Sequence, residues 1–249
     1  MPEAVEVEEF VKFLNKKLKG EMITYIHVMS GKYMKSRIPN LNILKMQLPL
    51  KVNNVCKKGK FIWFELENGW FIWNTLGLKG GWTDDEDNKY KRVKISTHDS
   101  HVYYYDMRNF GTIKIAQNGN ELKTKLDSIA PDIMKIKLAE FKKRSLEYKE
   151  KHKNKPIVEV LNTQNAIVSG IGNYLRSEIL YQSKINPFTK MDDITLRDIT
   201  TIFRKAKLVI RKLMEHNYTF QVYMKKKTSK NEIVSTKKDS QKRTVHYVK

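Results

Sequence analysis

Gln164-Asn165-Ala166-Ile167-Val168-Ser169-Gly170-Ile171-Gly172-Asn173-Tyr174-Leu175-Arg176 reads as a helix ended by glycine, a tight turn, and a second helix capped by Asn173. Gly170 and Gly172 let the backbone come close to a ligand, and N–H groups left unpaired at the start of the second helix would point outward. That arrangement suits a phosphate. Taken alone, the segment is better explained as a structural helix hairpin with an ordinary Asn cap, so the rest of the chain has to decide.

Upstream the pattern changes. From about Lys51 to Ala116 the chain runs in short stretches rich in aromatic and β-branched residues: Phe61 to Leu66, Trp70 to Leu76, Arg92 to Ser96, Val102 to Asp106 and Thr112 to Ala116. Asn68-Gly69 joins the first two as a tight hairpin. Antiparallel strands with turns this close together predict a β-sandwich or barrel. A helix over Val5 to Leu18 precedes them, with Val7, Phe10, Val11, Leu14 and Leu18 at helical spacing. After about Asn118 helical patterns take over. The Lys-rich connection from Phe141 to Lys155 predicts exposed helix and loop, and the capping-box sequence Thr195-Leu196-Arg197-Asp198 opens a helix that runs through Ile199, Ile202, Phe203, Ala206, Val209, Ile210 and Leu213.

The 249 residues suffice for one large domain or two small ones. Lys and Arg number 48 against 27 Asp and Glu, and the net charge of +21 makes a polyanion the expected partner. The tail from Val222 to Lys249 holds nine basic and two acidic residues with apolar ones interleaved, which predicts a basic hairpin with Val222-Tyr223 and Val245-His246-Tyr247-Val248 as strands. Cys56 is the only cysteine, so an intrachain disulfide and a cysteine zinc site are excluded. No charged-then-apolar leader opens the chain, and no apolar run nears the roughly 18 residues of a membrane span. A soluble, intracellular protein is expected.

Met1-Pro2-Glu3 carries candidate chemistry. Removal of the initiator methionine, which a small penultimate residue generally permits, turns Pro2 into a free secondary amine with a carboxylate beside it. Many chains begin Met-Pro without chemical consequence, and Glu3 is also explained as a negative charge favoured at a helix start.

The run Gly170-Ile171-Gly172-Asn173-Tyr174-Leu175-Arg176-Ser177-Glu178-Ile179-Leu180-Tyr181 resembles, almost residue for residue, the helix-two-turn-helix signature of the formamidopyrimidine-DNA glycosylase and endonuclease VIII family, most closely its eukaryote-type Nei-like branch. Pro2-Glu3 matches the family's catalytic N-terminus, and Asp106-Met107-Arg108-Asn109-Phe110-Gly111 matches its D-x-R-x-F-G loop, in the family's order. The resemblance implies a two-domain α+β fold: an N-terminal antiparallel β-sandwich flanked by helices over 1–118, a linker over 119–140, a helical helix-two-turn-helix DNA-binding domain over 141–216, and a β-hairpin zincless finger over 217–249. It implies a monomeric base-excision repair enzyme without cofactor or metal. Such an enzyme acts on damaged DNA in a DNA-containing compartment, nucleus or cytoplasm. It removes oxidised bases, pyrimidines favoured, and then cuts the abasic site.

By the same resemblance Pro2 attacks C1′ of an extruded nucleotide and stays attached as a Schiff base, so one residue serves both base removal and β/δ-elimination. Glu3 would protonate the sugar ring oxygen and then move protons. Glu6 matches a further acidic position, although a solvated helix charge explains it equally well. Lys60 would pair with the phosphate of the damaged nucleotide, while Asn173 with the Gly170 to Gly172 backbone and Arg243 on the finger would hold neighbouring phosphates. Leu78, Arg108 and Phe110 would fill the space that flipping leaves. Leu78 stands where the family often has methionine, and core packing is its rival explanation. The larger departure is the finger, which the family usually fixes with four cysteines around zinc. None lies between Asn217 and Lys249, and His246 without partner cysteines is not expected to bind metal. Two alternatives stay open: a non-catalytic nucleic-acid-binding protein, and a lyase acting mainly on abasic sites.

Overall fold

The computed structural model describes residues 2–249, which form two compact units: Pro2 with residues 6–128, and residues 3–5 with 129–249. Helix α1 (Ala4–Leu18) sends Val7, Val11, Leu14 and Leu18 into the first unit's core, as apolar residues three and four apart must when one helix face is buried. The strands that follow are β1 (Met22–Ile23), β2 (Tyr25–Val28), β3 (Leu50–Lys58), β4 (Phe61–Leu66), β5 (Trp70–Thr75), β6 (Gly80–Thr83), β7 (Lys91–Ser96), β8 (His101–Asp106) and β9 (Thr112–Gln117). The short helix α2 (Leu41–Lys45) lies between β2 and β3, and α3 (Gly119–Asp127) follows β9.

The strands build two antiparallel sheets, in the orders β1-β3-β4-β5-β9 and β2-β7-β8-β6. Val55, Ile62, Phe64, Ile72 and Ile115 of the first share one core cluster with Ile26, Trp82, Val93, Ile95 and Tyr104 of the second. This is the expected sandwich; burial alternates along β7, whereas β4 is buried at five of its six positions. Asn68 and Gly69 turn the chain between β4 and β5 at φ 56° and 73°, the left-handed region that this pair of residues tolerates best.

In the second unit α4 (Leu138–Lys151), α5 (Ile157–Asn162), α6 (Asn173–Ser183) and α7 (Leu196–Met214) enclose a core that includes Phe141, Val158, Leu161, Ile171, Leu175, Ile179, Ile202, Ala206 and Val209. The capping box forms: the Asp198 N–H donates to Thr195 Oγ1 (3.2 Å) and the Thr195 N–H to Asp198 Oδ2 (3.0 Å). Most of the Lys-rich stretch from Phe141 is helix α4, and it is not wholly exposed, because Phe141 and Ser145 are buried.

The apolar run Ala166-Ile167-Val168 is not helical, since α5 stops at Asn162 and a loop carries the chain to Gly172. Gln164 braces that loop, donating through Nε2 to the Ile171 carbonyl (2.7 Å) and accepting from the Gly170 N–H (2.9 Å). In the tail, β10 (Val234–Lys238) pairs antiparallel with β11 (Thr244–Val248), from Val234↔Val248 to Lys238↔Thr244. Val222-Tyr223 is therefore not the partner strand. Its two N–H groups donate to Glu178 Oε1 (2.9 and 2.7 Å) and are not available to a ladder.

Glu178 is completely buried and accepts further bonds from the Gln221 N–H (2.9 Å) and the Tyr218 hydroxyl (2.7 Å). One carboxylate on α6 thus orders the segment leading into the hairpin. Glu178→Gln turns an amide NH2 towards some of these donors, and a loss of about 3 kcal/mol is expected in urea unfolding. A loss below about 0.5 kcal/mol contradicts this role.

The His246 ring meets Tyr223 edge-on at 5.2 Å, and its Nδ1 is buried without a hydrogen-bond partner. Burial pulls its pKa below the ordinary value, although the charge of Glu178 works the other way. The stability it contributes is complete above about pH 6.5, the ordinary histidine value, and is lost as the pH falls, because the unfolded chain takes the proton first. His246→Phe should melt close to the wild type at pH 7.5 and lose less on going to pH 5.5. An unchanged difference between the two pH values rules out this histidine as the cause.

Candidate active site and nucleic-acid interface

Helix α6 opens after Gly172, which is extended and supplies no side-chain cap. Asn173 does not cap it either, contrary to expectation. The carboxylate of Glu3, 1 % exposed, does so from far away in sequence: Oε2 accepts from the N–H groups of Gly172 (2.6 Å) and Leu175 (3.1 Å), and Oε1 from Tyr174 (2.9 Å). The positive end of a helix favours a negative charge there. The Ala4 N–H adds a bond to the Gly170 carbonyl (2.9 Å), and Gly170 sits at φ 99°, where glycine is favoured. The N–H groups of Gly170 and Gly172, expected to face outward for a phosphate, thus serve Gln164 and Glu3.

Pro2 is half-buried and joined directly to this capping residue, so its nitrogen becomes a free amine once Met1 is removed. Glu6 is half-buried in the first turn of α1. Lys60 lies in the turn between β3 and β4 and not on a strand. Sequence reading passed over Lys57, whose buried ammonium lies 3.4 Å from Glu8. A basic residue in an alternating strand gives no signal that it points inward.

In the first unit the Asp106 carboxylate shapes the loop that follows β8. It accepts from the N–H groups of Gly111 (2.7 Å) and Arg108 (3.1 Å) and from the Tyr104 hydroxyl (3.3 Å). Gly111 cannot be replaced here, because a Cβ would lie 1.8 Å from the Tyr104 hydroxyl and 2.6 Å from the Thr75 carbonyl. Lys32 and Tyr33 donate to the Gly111 carbonyl, Tyr33 also accepts from the Ile113 N–H (2.6 Å), and Arg92 Nε donates to the Asp106 carbonyl (2.9 Å). These three side chains support the loop, and no motif announced them.

The loop holds Arg108 and Phe110 out to solvent, with the guanidinium 4.9 Å from the ring centroid and Phe110 57 % exposed. Leu78 is half-buried in the turn between β5 and β6 and belongs to neither core cluster, so core packing does not account for it. A Cβ on its neighbour Gly77 would lie 2.5 Å from the Gly111 nitrogen, so the two loops that carry Leu78, Arg108 and Phe110 touch.

In the second unit Asn173 is half-buried at the start of α6 and Arg243 is exposed just before β11. Between them lies Arg176, fully buried, which donates through Nε and Nη2 to Asn173 Oδ1 (3.1 and 2.6 Å) and through Nη1 to Asp239 Oδ2 (2.7 Å). Among the described residues no group of three or more His, Cys, Asp or Glu side chains could hold a metal ion, and no helix is long and apolar enough to cross a membrane.

Residues 1–113 match the formamidopyrimidine-DNA glycosylase N-terminal domain and residues 129–223 the formamidopyrimidine-DNA glycosylase H2TH domain. The formamidopyrimidine-DNA glycosylase of Mycoplasma genitalium is 29 % identical over 219 residues, covering 85 % of this chain and 75 % of the relative. That of Bacillus cereus is 28 % identical over 210 residues, 82 % of this chain and 74 % of the relative. Among solved structures, Lactococcus lactis formamidopyrimidine-DNA glycosylase bound non-covalently to DNA with an abasic site superposes with a TM-score of 0.85 at 21 % identity, covering 99 % of this chain and 97 % of that one. A MutM structure in complex with DNA containing carbocyclic 8-oxo-G gives 0.84 at 21 % identity, over 99 % and 98 %. The two domain matches take in most of the sequence and fall one on each compact unit, the second of them on the helix whose start Glu3 caps, and on this ground the chain belongs to the formamidopyrimidine-DNA glycosylase family.

Proposed function

We propose that the mature chain is a bifunctional DNA glycosylase and abasic-site lyase of the zincless, Nei-like kind, acting on damaged DNA. The observation that carries this reading is the Glu3 carboxylate, fixed by three N–H groups at the start of α6 and joined to Pro2. C1′ cannot be reached inside a duplex, so the damaged nucleotide must leave the stack. Leu78, Arg108 and Phe110 fill the vacated space; the exposed ring wedges a stacked step while the guanidinium pairs with the orphaned base.

The Pro2 amine then attacks C1′ and the base departs with the bonding pair; the amine proton passes to the ring oxygen, the C1′–O4′ bond opens, and the nitrogen remains as an iminium. That electron sink acidifies the C2′ proton; its removal expels the 3′ phosphate, and a second elimination expels the 5′ phosphate. Glu3 protonates the ring oxygen and serves the proton transfers. Glu6 orients the amine or the sugar hydroxyls. Lys60, Asn173 and Arg243 hold phosphates. The N–H groups of Gly170 and Gly172 already serve internal acceptors, so this turn contributes mainly the Asn173 amide.

Oxidised pyrimidines and ring-opened purines are the proposed lesions. The stretch from Asn217 to Val222 is short, and Glu178 pins Tyr218, Gln221 and Val222, which leaves little room for a long base-covering loop. Excision from duplex and single-stranded oligonucleotides bearing thymine glycol, 5-hydroxyuracil, 8-oxoguanine or an abasic site tests the proposal. Faster release of the two pyrimidines than of 8-oxoguanine is expected. Cutting of the abasic strand alone assigns a lyase, and salt-sensitive binding with no cutting assigns a non-catalytic binder.

A further inference from the structure

We propose that Arg176 is a positioning residue that sets Asn173 and Arg243 together, from inside the second unit. The proposal rests on the reading that these two side chains hold phosphates. Burying a guanidinium is costly unless its donors are matched, and a well-packed apolar side chain at such a place is often as stabilising or more. Here the charge is fully buried, and its side-chain partners are the two that govern the phosphate-holding pair.

On one side, Nε and Nη2 grip Asn173 Oδ1 as a fork. This fixes the flip of the amide and makes its NH2 the end that can donate to a phosphate oxygen. On the other side, Nη1 holds Asp239 Oδ2, while Asp239 Oδ1 accepts from the N–H groups of Gln241 (3.0 Å) and Arg243 (2.8 Å). The Asp239 N–H returns to the Arg243 carbonyl (2.9 Å), which closes the turn from which Arg243 projects. A hairpin without cysteines takes its fixed point from this ion pair. Only a planar group with donors on three nitrogens serves both sides at once; a lysine ammonium keeps the charge and loses the fork.

Two double-mutant cycles test the proposal, read as the dissociation constant of an abasic-analogue duplex across a salt titration. Arg176→Lys is crossed with Asn173→Ala, and Asp239→Asn with Arg243→Ala. Each single variant should bind about tenfold more weakly. Asn173→Ala should leave the salt slope close to wild type, whereas Arg243→Ala should lower it by about one, the value of one lost phosphate contact by a cation. Arg176→Lys in the Asn173→Ala background, and Asp239→Asn in the Arg243→Ala background, should add less than about twofold. If Asp239→Asn fails to fold, Arg176→Lys crossed with Arg243→Ala takes its place. Fully additive effects mean that Arg176 and Asp239 only stabilise the fold, and they overturn the inference alone. If Asn173→Ala and Arg243→Ala bind as tightly as wild type, the phosphate-holding reading falls and the inference with it.

Discussion

A chain that keeps an uncleaved residue ahead of Pro2 is expected to lose base removal and strand cutting together, by at least about 1,000-fold in single-turnover rate, while its affinity for an abasic-analogue duplex changes little. The reason is elementary. An amide nitrogen has given its lone pair to the carbonyl and does not attack a sugar carbon, whereas the secondary amine of a free proline does. The extension adds bulk at a half-buried position but removes none of the groups proposed to hold phosphates or fill the gap. Retained cutting of abasic DNA by such a chain assigns the lyase step to another amine. Equal loss of binding shows that the extension merely blocks access.

Glu3→Gln should fail in two separable ways. Excision should fall by about 100- to 10,000-fold, the range of a lost general acid and base. Independently, the chain should lose about 2 kcal/mol of stability, because the carboxylate accepts from the N–H groups of Gly172, Tyr174 and Leu175 and an amide NH2 cannot. The two readings differ in their controls. Thermal unfolding without DNA reports the cap, and the rate of the fully folded variant at low temperature reports the chemistry. If stability is unchanged, Glu3 does not cap α6 in solution. If the rate is unchanged, another group moves the protons.

Much of the fold was legible because it is written in local patterns. The strands at Phe61 to Leu66 and Trp70 to Thr75 alternate or run apolar between clear turn residues, and the structure pairs them through Asn68-Gly69 as expected. The helix at Thr195 announces itself by its capping box and its apolar spacing. The errors fall where a distant side chain decides. Ala166-Ile167-Val168 looks like the interior of a helix, and it is a loop whose Ala166 and Ile167 carbonyls accept from Arg144 on α4 (2.8 Å each). Val222-Tyr223 has strand-forming residues, yet Glu178 claims both N–H groups, and the hairpin uses the more polar Val234 to Lys238 instead.

The candidate site divides in the same way. Arg108 and Phe110 were readable from their motif, and the structure leaves both exposed on one loop. Lys32, Tyr33 and Arg92, which support that loop, lie outside any motif, and nothing local in the sequence marks them. The role of Glu3 as a helix cap was hidden for a different reason. Its partners lie at Gly172 to Leu175, and no local pattern reports a contact across that span of sequence.

The proposed chemistry depends most on the identity of the attacking nitrogen. Incubating the mature protein with an abasic oligonucleotide and borohydride reduces any iminium to a stable bond, and peptide mass spectrometry then locates the sugar. An adduct on the N-terminal peptide, at Pro2 with Met1 removed, is the predicted result. An adduct on Lys60, on Lys57 or on any other lysine contradicts it.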